Sequence, residues 1–197
     1  MGKIFYLMGK SSSGKDTMYS RICKDRDLEL EPLILYTTRP IRDGETEGKQ
    51  YHFTDEEHFR DYSDKGLVIE HRTYKTMHGD WTYFTVDDGL DLKEKSYIAI
   101  GTLESYASFI KYYGQEKLVP VYIEVEDGER LKRALQRERL NGNGKYKEMC
   151  RRFLADCEDF SEEKLKEAGI SSKNRFENTD ADATYLNIRN YILEYLN

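Results

Sequence analysis

Near its start the chain carries the segment GKSSSGK at residues 9–15, a GxxxxGK pattern between a short apolar run and a stretch with helical character. The apolar run at residues 4–8 is predicted to be a buried strand, and residues 15–24 a helix. In that setting the glycines let backbone N–H groups turn inward around an anion, and the helix N-terminus adds the positive end of its dipole. The pattern therefore predicts a phosphate-binding loop, with Lys15 reaching the β- and γ-phosphates of a nucleotide.

The residue after this loop is Asp16, where such motifs usually continue with serine or threonine, and Thr17 follows it. A carboxylate is a hard oxygen ligand that suits Mg²⁺, although it also adds negative charge beside phosphates. Two interpretations stay open, because Asp16 either binds Mg²⁺, directly or through water, or only caps the helix. We take Asp16 and Thr17 as the predicted metal ligands, with Mg²⁺ accompanying the nucleotide as the predicted cofactor.

Short apolar runs alternate with amphipathic stretches along most of the chain. Further strands are predicted at residues 33–36, 97–100 and 118–125, which are rich in Ile, Val, Leu and Tyr, as is typical of strands buried on both faces. Further helices are predicted at residues 103–113, 129–140, 146–168 and 183–196. Strand–helix alternation with right-handed crossovers predicts a three-layer α/β fold around a parallel core sheet.

Two segments interrupt this alternation. Residues 37–90 contain predicted strands at 50–53, 67–74 and 82–86 without long helices between them, which indicates a small mixed β insertion. The sequence NGNGK at residues 141–145, flanked by arginines, predicts a mobile lid at about residues 138–150. The predicted organisation is a core of residues 1–36 and 91–197 that includes the lid, with an insertion of residues 37–90.

The insertion opens with TTRPIRDGE at residues 37–45, followed by GKQYHF at residues 48–53. Guanidinium groups form charge-assisted, bidentate hydrogen bonds to phosphate, so Arg39 and Arg42 suit a monophosphate acceptor. Glu70 follows within an apolar strand. Read without any further context, these arginines would be solvated turn residues and Glu70 an exposed strand residue.

Together with the phosphate-binding loop, this segment resembles guanylate kinases. The pattern of that family is TTRxxRxGE, a short gap and then GxxYxF, and this chain matches it with the spacing intact. The resemblance covers most of the chain and is sharpest over residues 4–70. It implies a P-loop kinase fold whose partners are ATP and GMP and whose products are ADP and GDP. It also implies that Arg39, Arg42 and Tyr51 hold the acceptor phosphate, and that Glu70 accepts hydrogen bonds from guanine N1–H and N2–H₂.

Several positions depart from the family pattern. His78, Gly79 and Asp80 stand where the family commonly has Tyr-Gly-Ser/Thr, and His78 is the candidate replacement for the tyrosine as a phosphate donor. The family's D-x-D-x-Q-G segment is replaced by IAIGTLE at residues 98–104, where Thr102 and Glu104 are candidate substitutes for the missing aspartate. The reaction class is therefore more tightly constrained than the acceptor.

The second half of the chain contains further candidate site residues, namely arginines and one asparagine. Phosphoryl transfer depends on cations positioned around the transferring group, and Arg139 and Arg152 resemble the family's lid arginines. Arg130 is interpreted instead as part of a solvated basic face. Asn178, in RFENTD at residues 175–180, resembles the family's asparagine beside the adenine.

The predicted site residues fall into three groups. The catalytic residues are Lys15, Arg39, Arg139 and Arg152. The ATP-binding residues are Gly9, Lys10, Ser11, Ser12, Ser13, Gly14, Lys15, Asp16, Thr17 and Asn178. The GMP-binding residues are Arg39, Arg42, Tyr51, Glu70, His78 and Thr102.

Charge and cysteine content limit the partners and the cellular compartment that we expect for this protein. A formal charge of -6 argues against non-specific nucleic-acid binding, and we expect neither a nucleic-acid partner nor membrane insertion. Three widely spaced cysteines without a CxxC pattern suit a reducing cytoplasm. Oligomeric state stays open. Two other functions also stay open: a related kinase with another acceptor, such as ribose 1,5-bisphosphate, and a non-catalytic guanylate-kinase-like binding module.

Overall fold

The computed structural model describes residues 2–76, 79–140 and 144–196. In this part of the chain the strands are β1 (Ile4–Met8), β2 (Leu30–Pro32), β3 (Tyr36–Thr37), β4 (His52–Phe53), β5 (Val68–Thr76), β6 (Gly79–Val86), β7 (Ser96–Ile100), β8 (Leu118–Glu124) and β9 (Arg175–Glu177). The α-helices are α1 (Lys15–Ile22), α2 (Glu56–Asp64), α3 (Leu103–Tyr113), α4 (Asp127–Leu140), α5 (Tyr146–Asp159), α6 (Glu162–Glu167) and α7 (Ala181–Leu196). None of these helices is both long enough and apolar enough to cross a membrane.

A five-stranded parallel sheet forms the core, with the order β2-β7-β1-β8-β9. Strand β1 is central and every one of its side chains is buried, because helices cover both faces of the sheet. One face packs against α1 and α7 through Met18 and Ile188, and the other against α3 and α6 through Phe109 and Leu165. This arrangement confirms the predicted α/β fold with a parallel core sheet.

A second, four-stranded sheet has the order β4-β3-β6-β5 and mixes parallel and antiparallel pairs. The mixed β character predicted for this region is thus confirmed. The ladder between β5 and β6 shifts register between Val68 and Glu70, and the consecutive side chains of Ile69 and Glu70 are both buried. A bulge explains this, since side chains of a regular strand alternate between faces.

Helix α2 was not expected within this region. Asp55 caps it, accepting a hydrogen bond from the His58 N–H at 2.9 Å. Phe59 and Tyr62 on the helix lie against Phe84 of β6, with ring centroids 4.9 and 6.4 Å away. Two aromatic contacts with the sheet therefore fix a helix whose sequence is largely polar.

The strand predicted at residues 33–36 is wrong as a core strand. The core strand in this region is β2, which pairs with β7 in parallel, while Tyr36 and Thr37 belong to the second sheet. Pro32 has no N–H to donate, and it is accommodated because β2 is an edge strand of the core sheet. The apolar residues after it connect the two sheets.

The single helix predicted at residues 146–168 is also wrong, because the structure divides it into α5 and α6. Phe160 turns into the core, where its ring stacks on Tyr122 with centroids 5.7 Å apart. Ser161 then caps α6 by accepting a hydrogen bond from the Lys164 N–H. The helical pattern in the sequence therefore continues past Phe160, although the burial of this side chain redirects the backbone there.

Candidate active site

The GKSSSGK segment at residues 9–15 forms the loop between β1 and α1. A side chain at Gly9 would place its Cβ 2.5 Å from the Ile123 carbonyl oxygen, and one at Gly14 would place it 2.3 Å from Asn178 Nδ2. Gly14 also has a φ of 90°. Only glycine fits both positions, because neighbouring backbone and side chains pack directly against the loop.

Asn178, which follows β9, lies against the loop as well. Its Nδ2 donates to the Ser13 carbonyl at 2.8 Å, and Arg133 Nη2 donates to the Asn178 carbonyl at 3.0 Å. A depression of about 470 Å³ opens beside these residues. Its lining includes Ser12, Gly14, Lys15, Asp16, Thr17, Arg133, Arg137 and Asn178.

Lys15 and Asp16 begin helix α1, with the Lys15 ammonium 3.3 Å from the Asp16 carboxylate. The Asp16 side chain is 84 % exposed, and α1 has no side-chain capping hydrogen bond within the described part of the chain. The capping interpretation of Asp16 is therefore not supported. Thr17 is exposed one residue further on.

The residues beside the loop can be compared with the ligands that Mg²⁺ prefers. No group of three or more His, Cys, Asp or Glu residues suited to a metal occurs among the described residues. Mg²⁺ in phosphoryl-transfer sites is commonly held by one or two carboxylates together with substrate phosphates and water. A single exposed carboxylate beside the loop lysine fits that mode of binding.

The loop already holds a carboxylate oxygen. Ser11 N–H donates to Asp156 Oδ2 of α5 at 2.7 Å, and Arg130 Nη1 lies 3.3 Å from the same oxygen. Arg152, on the same helix, donates to Ser11 Oγ at 3.4 Å. A loop N–H that binds an anionic oxygen supports the prediction of an anion-binding loop.

The sequence suggested that Arg130 is part of a solvated basic face, and this interpretation is wrong. Its side chain is 1 % exposed and pairs with Asp127 at 3.0 Å as well as with Asp156. The guanidinium also lies 3.9 Å from the centre of the Phe153 ring. Two carboxylates and an aromatic face compensate the buried charge, so Arg130 joins α4 to α5.

A cleft of about 980 Å³ separates the loop from the second sheet. It brings together predicted residues from four parts of the chain: Gly9, Ser11, Lys15, Asp16, Tyr51, Thr102 and Arg152. Lys49, Arg72 and Arg151 also line it, and the sequence analysis did not select them. The signal for Arg72 was its spacing, because it lies two residues after Glu70 on a strand and side chains two apart share a face.

Other predicted residues lie elsewhere. Arg39, Arg42, Glu70 and Arg139 are not among the described residues that line the cleft, and His78 lies outside the described residues. Arg139 is exposed at the end of α4. Lys10 points to Asp127, with its ammonium 3.4 Å from the carboxylate.

Arg39 follows β3 and is buried, with 3 % of its side chain exposed. Its Nη1 and Nη2 donate to the two oxygens of Glu45 at 2.7 and 2.5 Å. The Arg39 guanidinium lies 5.1 Å from the centre of the Tyr51 ring. Arg39 hydrogen bonds lower the pKa of Glu45 from 4.5 to about 2, so the pair is ionised at neutral pH.

Glu70 and Arg72 form a pair on β5. Thr85 Oγ1 donates to Glu70 Oε1 at 2.9 Å, and Glu70 Oε2 lies 3.4 Å from Arg72 Nε. Arg72 Nη1 also donates to Thr102 Oγ1 at 3.5 Å. Thr102 itself is the N-cap of α3, accepting from Ser105 N–H at 3.2 Å.

The chain is similar to several known proteins. A sequence model described as "Guanylate kinase" matches residues 1–162. The guanylate kinase of Porphyromonas gingivalis is 28% identical over 139 residues, which cover 70% of this chain and 72% of that protein. The guanylate kinase of Vibrio vulnificus strain YJ016 is 30% identical over 96 residues, 46% of each chain, so this chain spans about half the length of that curated relative.

A solved structure also resembles the chain. The crystal structure of guanylate kinase from Anaplasma phagocytophilum superimposes with a TM-score of 0.65, covering 98% of this chain and 86% of that one. At 19% sequence identity this likeness concerns the fold. The family match, by contrast, covers residues 1–162 of a chain of 197 residues. The chain belongs to the guanylate kinase family.

Proposed function

We propose that this protein transfers the γ-phosphoryl group of ATP to GMP and releases ADP and GDP. The observation that carries the proposal is the cleft that is lined both by Lys15 with the phosphate-binding loop and by Tyr51, the residue just before β4. We assign ATP to the core formed by residues 1–36 and 91–197, with a lid at about residues 138–150, and GMP to the insertion of residues 37–90. The unpaired thiols of Cys23, Cys150 and Cys157 suit the cytoplasmic setting that we propose.

On the donor side, loop N–H groups would bind phosphate oxygens, and Lys15 would bridge the β- and γ-phosphates. Asp16, with Thr17 beside it, would hold Mg²⁺, which neutralises charge on the phosphates. Asn178 braces the loop through the Ser13 carbonyl and lies beside the depression that we assign to the adenosine. Lys15 thus acts at the atoms whose charge changes during transfer.

On the acceptor side, the proposed phosphate ligands are Tyr51, Arg39 and Arg42. Burial raises the pKa of Tyr51, which keeps its phenol protonated and able to donate. Arg39 is held by Glu45, and its Nε is buried without a hydrogen-bond partner among the described residues, so binding a phosphate would require the side chain to move. The Arg42 guanidinium lies 5.8 Å from the centre of the Trp81 ring of β6. Tyr51 lines the cleft and supports this proposal, whereas Arg39 and Arg42, which are not among the described residues that line it, would have to turn towards the phosphate to bind it.

The remaining arginines come from the second half of the chain. Arg152 already contacts Ser11 in the loop, so it is positioned to neutralise the transferring group. Arg139 is exposed at the end of α4, next to the residues we assign to the lid. Residues 141–143 of that predicted lid lie outside the described residues, so Arg139 stays in the proposal as a candidate cation for the transferring group.

An acceptor panel tests this proposal. ADP formation from ATP and Mg²⁺ is measured with GMP, AMP, UMP and ribose 1,5-bisphosphate, and the phosphorylated products are identified chromatographically. We expect the highest kcat/KM with GMP and formation of GDP. A higher kcat/KM with ribose 1,5-bisphosphate would replace GMP by that acceptor, and absence of transfer to every acceptor would favour the non-catalytic alternative.

A further inference from the structure

Asp156 of α5 places a carboxylate oxygen on the phosphate-binding loop. Its Oδ2 accepts a hydrogen bond from the Ser11 N–H at 2.7 Å, a distance typical of charge-assisted bonds. A backbone N–H of this loop is also the kind of group that binds a phosphate oxygen. The carboxylate and a phosphate therefore compete for the same donor.

Ser11 lies on the side of the loop that borders the acceptor cleft. Ser11 and Asp156 both line this cleft, and neither is among the described residues that line the depression assigned to the adenosine. Gly14 and Asn178 line that depression, whereas Lys15 lines both spaces. The γ-phosphate has to reach the acceptor, so it belongs at the cleft end of a bound triphosphate. The Asp156 carboxylate thus lies where we place the γ-phosphate.

A buried arginine provides Asp156 with a second partner. Arg130 Nη1 lies 3.3 Å from Asp156 Oδ2, and the Arg130 side chain, which is 1 % exposed, also pairs with Asp127 at 3.0 Å. Asp127 in turn lies 3.4 Å from the Lys10 ammonium. Because Arg130 can keep its contact with Asp156 after Ser11 is released, displacing the carboxylate from the loop does not leave a buried charge without a partner.

We propose that Asp156 sets the relative affinity of the loop for nucleoside triphosphates and diphosphates. ATP has to displace the carboxylate from Ser11 and hold its γ-phosphate beside a negative charge. ADP has no γ-phosphate, so it leaves the contact between Asp156 and Ser11 in place. Asp156 is then a specificity-determining residue, because it weakens the binding of ATP relative to that of ADP. This inference rests on the proposed function, since it takes the loop as the ATP site.

Calorimetric titrations with ATP and with ADP, each with Mg²⁺ and without an acceptor, test the inference. Asp156→Ala removes the competing carboxylate, so we expect the Kd for ATP to fall by about tenfold, within the range of a hydrogen bond to a charged group. The Kd for ADP should stay close to that of wild type, because ADP does not compete with Asp156. The ratio of the Kd for ATP to the Kd for ADP should therefore fall by about tenfold.

Two further variants complete the experiment. Asp159→Ala is the matched control, because Asp159 is exposed on the same helix, lines the same cleft and pairs with Lys164 at 3.9 Å. It removes the same charge, and we expect it to leave the ratio of the two Kd values unchanged. Asp156→Asn keeps an oxygen for Ser11 and Arg130 but is neutral, so the ratio should fall by about fivefold, since a neutral hydrogen bond is weaker than a charged one. Thermal melting checks that each variant is folded.

Two results would overturn the inference alone. One is a wild-type ratio of the two Kd values in folded Asp156→Ala, or in Asp156→Asn if the alanine variant does not fold. The other is equal tightening of ATP and ADP, which would place the carboxylate on a phosphate that both nucleotides share. Neither result bears on transfer to GMP, because the titrations contain no acceptor. A wild-type protein that binds neither ATP nor ADP would overturn the proposed function and this inference together.

Discussion

Arg39 and Glu45 illustrate how far single residues can be interpreted from their motif. The sequence singled out Arg39 because its spacing to Arg42 matches a phosphate clamp, but it did not indicate that Glu45 would occupy both terminal nitrogens of its guanidinium. That contact depends on a turn whose geometry the spacing does not specify. The loop residues were easier to predict, since their role follows from backbone N–H groups and glycine conformation.

The Arg39–Glu45 pair gives a prediction on acid stability. The Glu45 pKa is lowered to about 2 in the folded chain, from an ordinary 4.5. The pair therefore contributes stability that is present above pH 4.5 and lost as the pH falls towards 2. We expect Glu45→Gln to be less stable than wild type at pH 6, with the difference shrinking between pH 4.5 and pH 2.5.

Urea unfolding at several pH values measures this difference. Glu57→Gln is the control, because it removes the same charge from a residue that is exposed in the first turn of α2. A stability difference between Glu45→Gln and wild type that stays constant from pH 6 to pH 2.5 would contradict the ion-pair interpretation. It would mean that Glu45 stabilises the turn equally well as a neutral acid.

At the scale of elements, the strongly periodic segments were predicted and the breaks in them were not. Strand β1, helix α1 and helix α3 match their predicted positions, because apolar patterning and flanking glycines define them locally. The division of α5 from α6 at Phe160 depends on a contact with Tyr122 of β8. Distant contacts of this kind have no signature in the local sequence.

The contact between α5 and the loop carries a prediction on nucleotide binding. Asp156 holds the Ser11 N–H that we assign to a phosphate oxygen, so nucleotide binding has to displace a carboxylate. Asp156→Ala removes that competitor and its negative charge, and we expect ATP to bind about tenfold more tightly, within the range of a hydrogen bond to a charged group. Calorimetric titration with ATP measures the change.

Glu158→Ala is the control for this measurement. Glu158 lies on α5 like Asp156, and its substitution removes the same negative charge. Unlike Asp156, Glu158 is exposed and is not among the described residues that line the cleft. An Asp156→Ala variant that is folded and binds ATP as wild type does, or more weakly, would contradict the view that Asp156 competes with phosphate. Equal tightening by both variants would point to net charge alone.

At the scale of the whole molecule, two sheets face each other across one cleft. The parallel sheet presents the loop at the end of its central strand, the mixed sheet presents Arg72 on β5, and Tyr51 lies just before β4. Alternation of strand and helix patterns predicted the first sheet, and the loss of that alternation after residue 37 predicted the second. Which side chains meet in the cleft could not be predicted, because it depends on how the two sheets are oriented.

In the proposed reaction, Lys15 acts in this cleft while a phosphoryl group passes from ATP to GMP. The most direct measurement is the initial rate of GDP formation from ATP, Mg²⁺ and GMP by wild type, Lys15→Ala and Lys24→Ala, with thermal melting to establish folding. Lys24 is the control, because it is an exposed lysine just beyond α1. We expect GDP formation by wild type and Lys24→Ala, and a rate about 10²–10³ lower for Lys15→Ala, the loss expected when a donor to the transition state is removed. A folded Lys15→Ala protein that forms GDP at the wild-type rate, or a wild-type protein that forms none, would contradict the account.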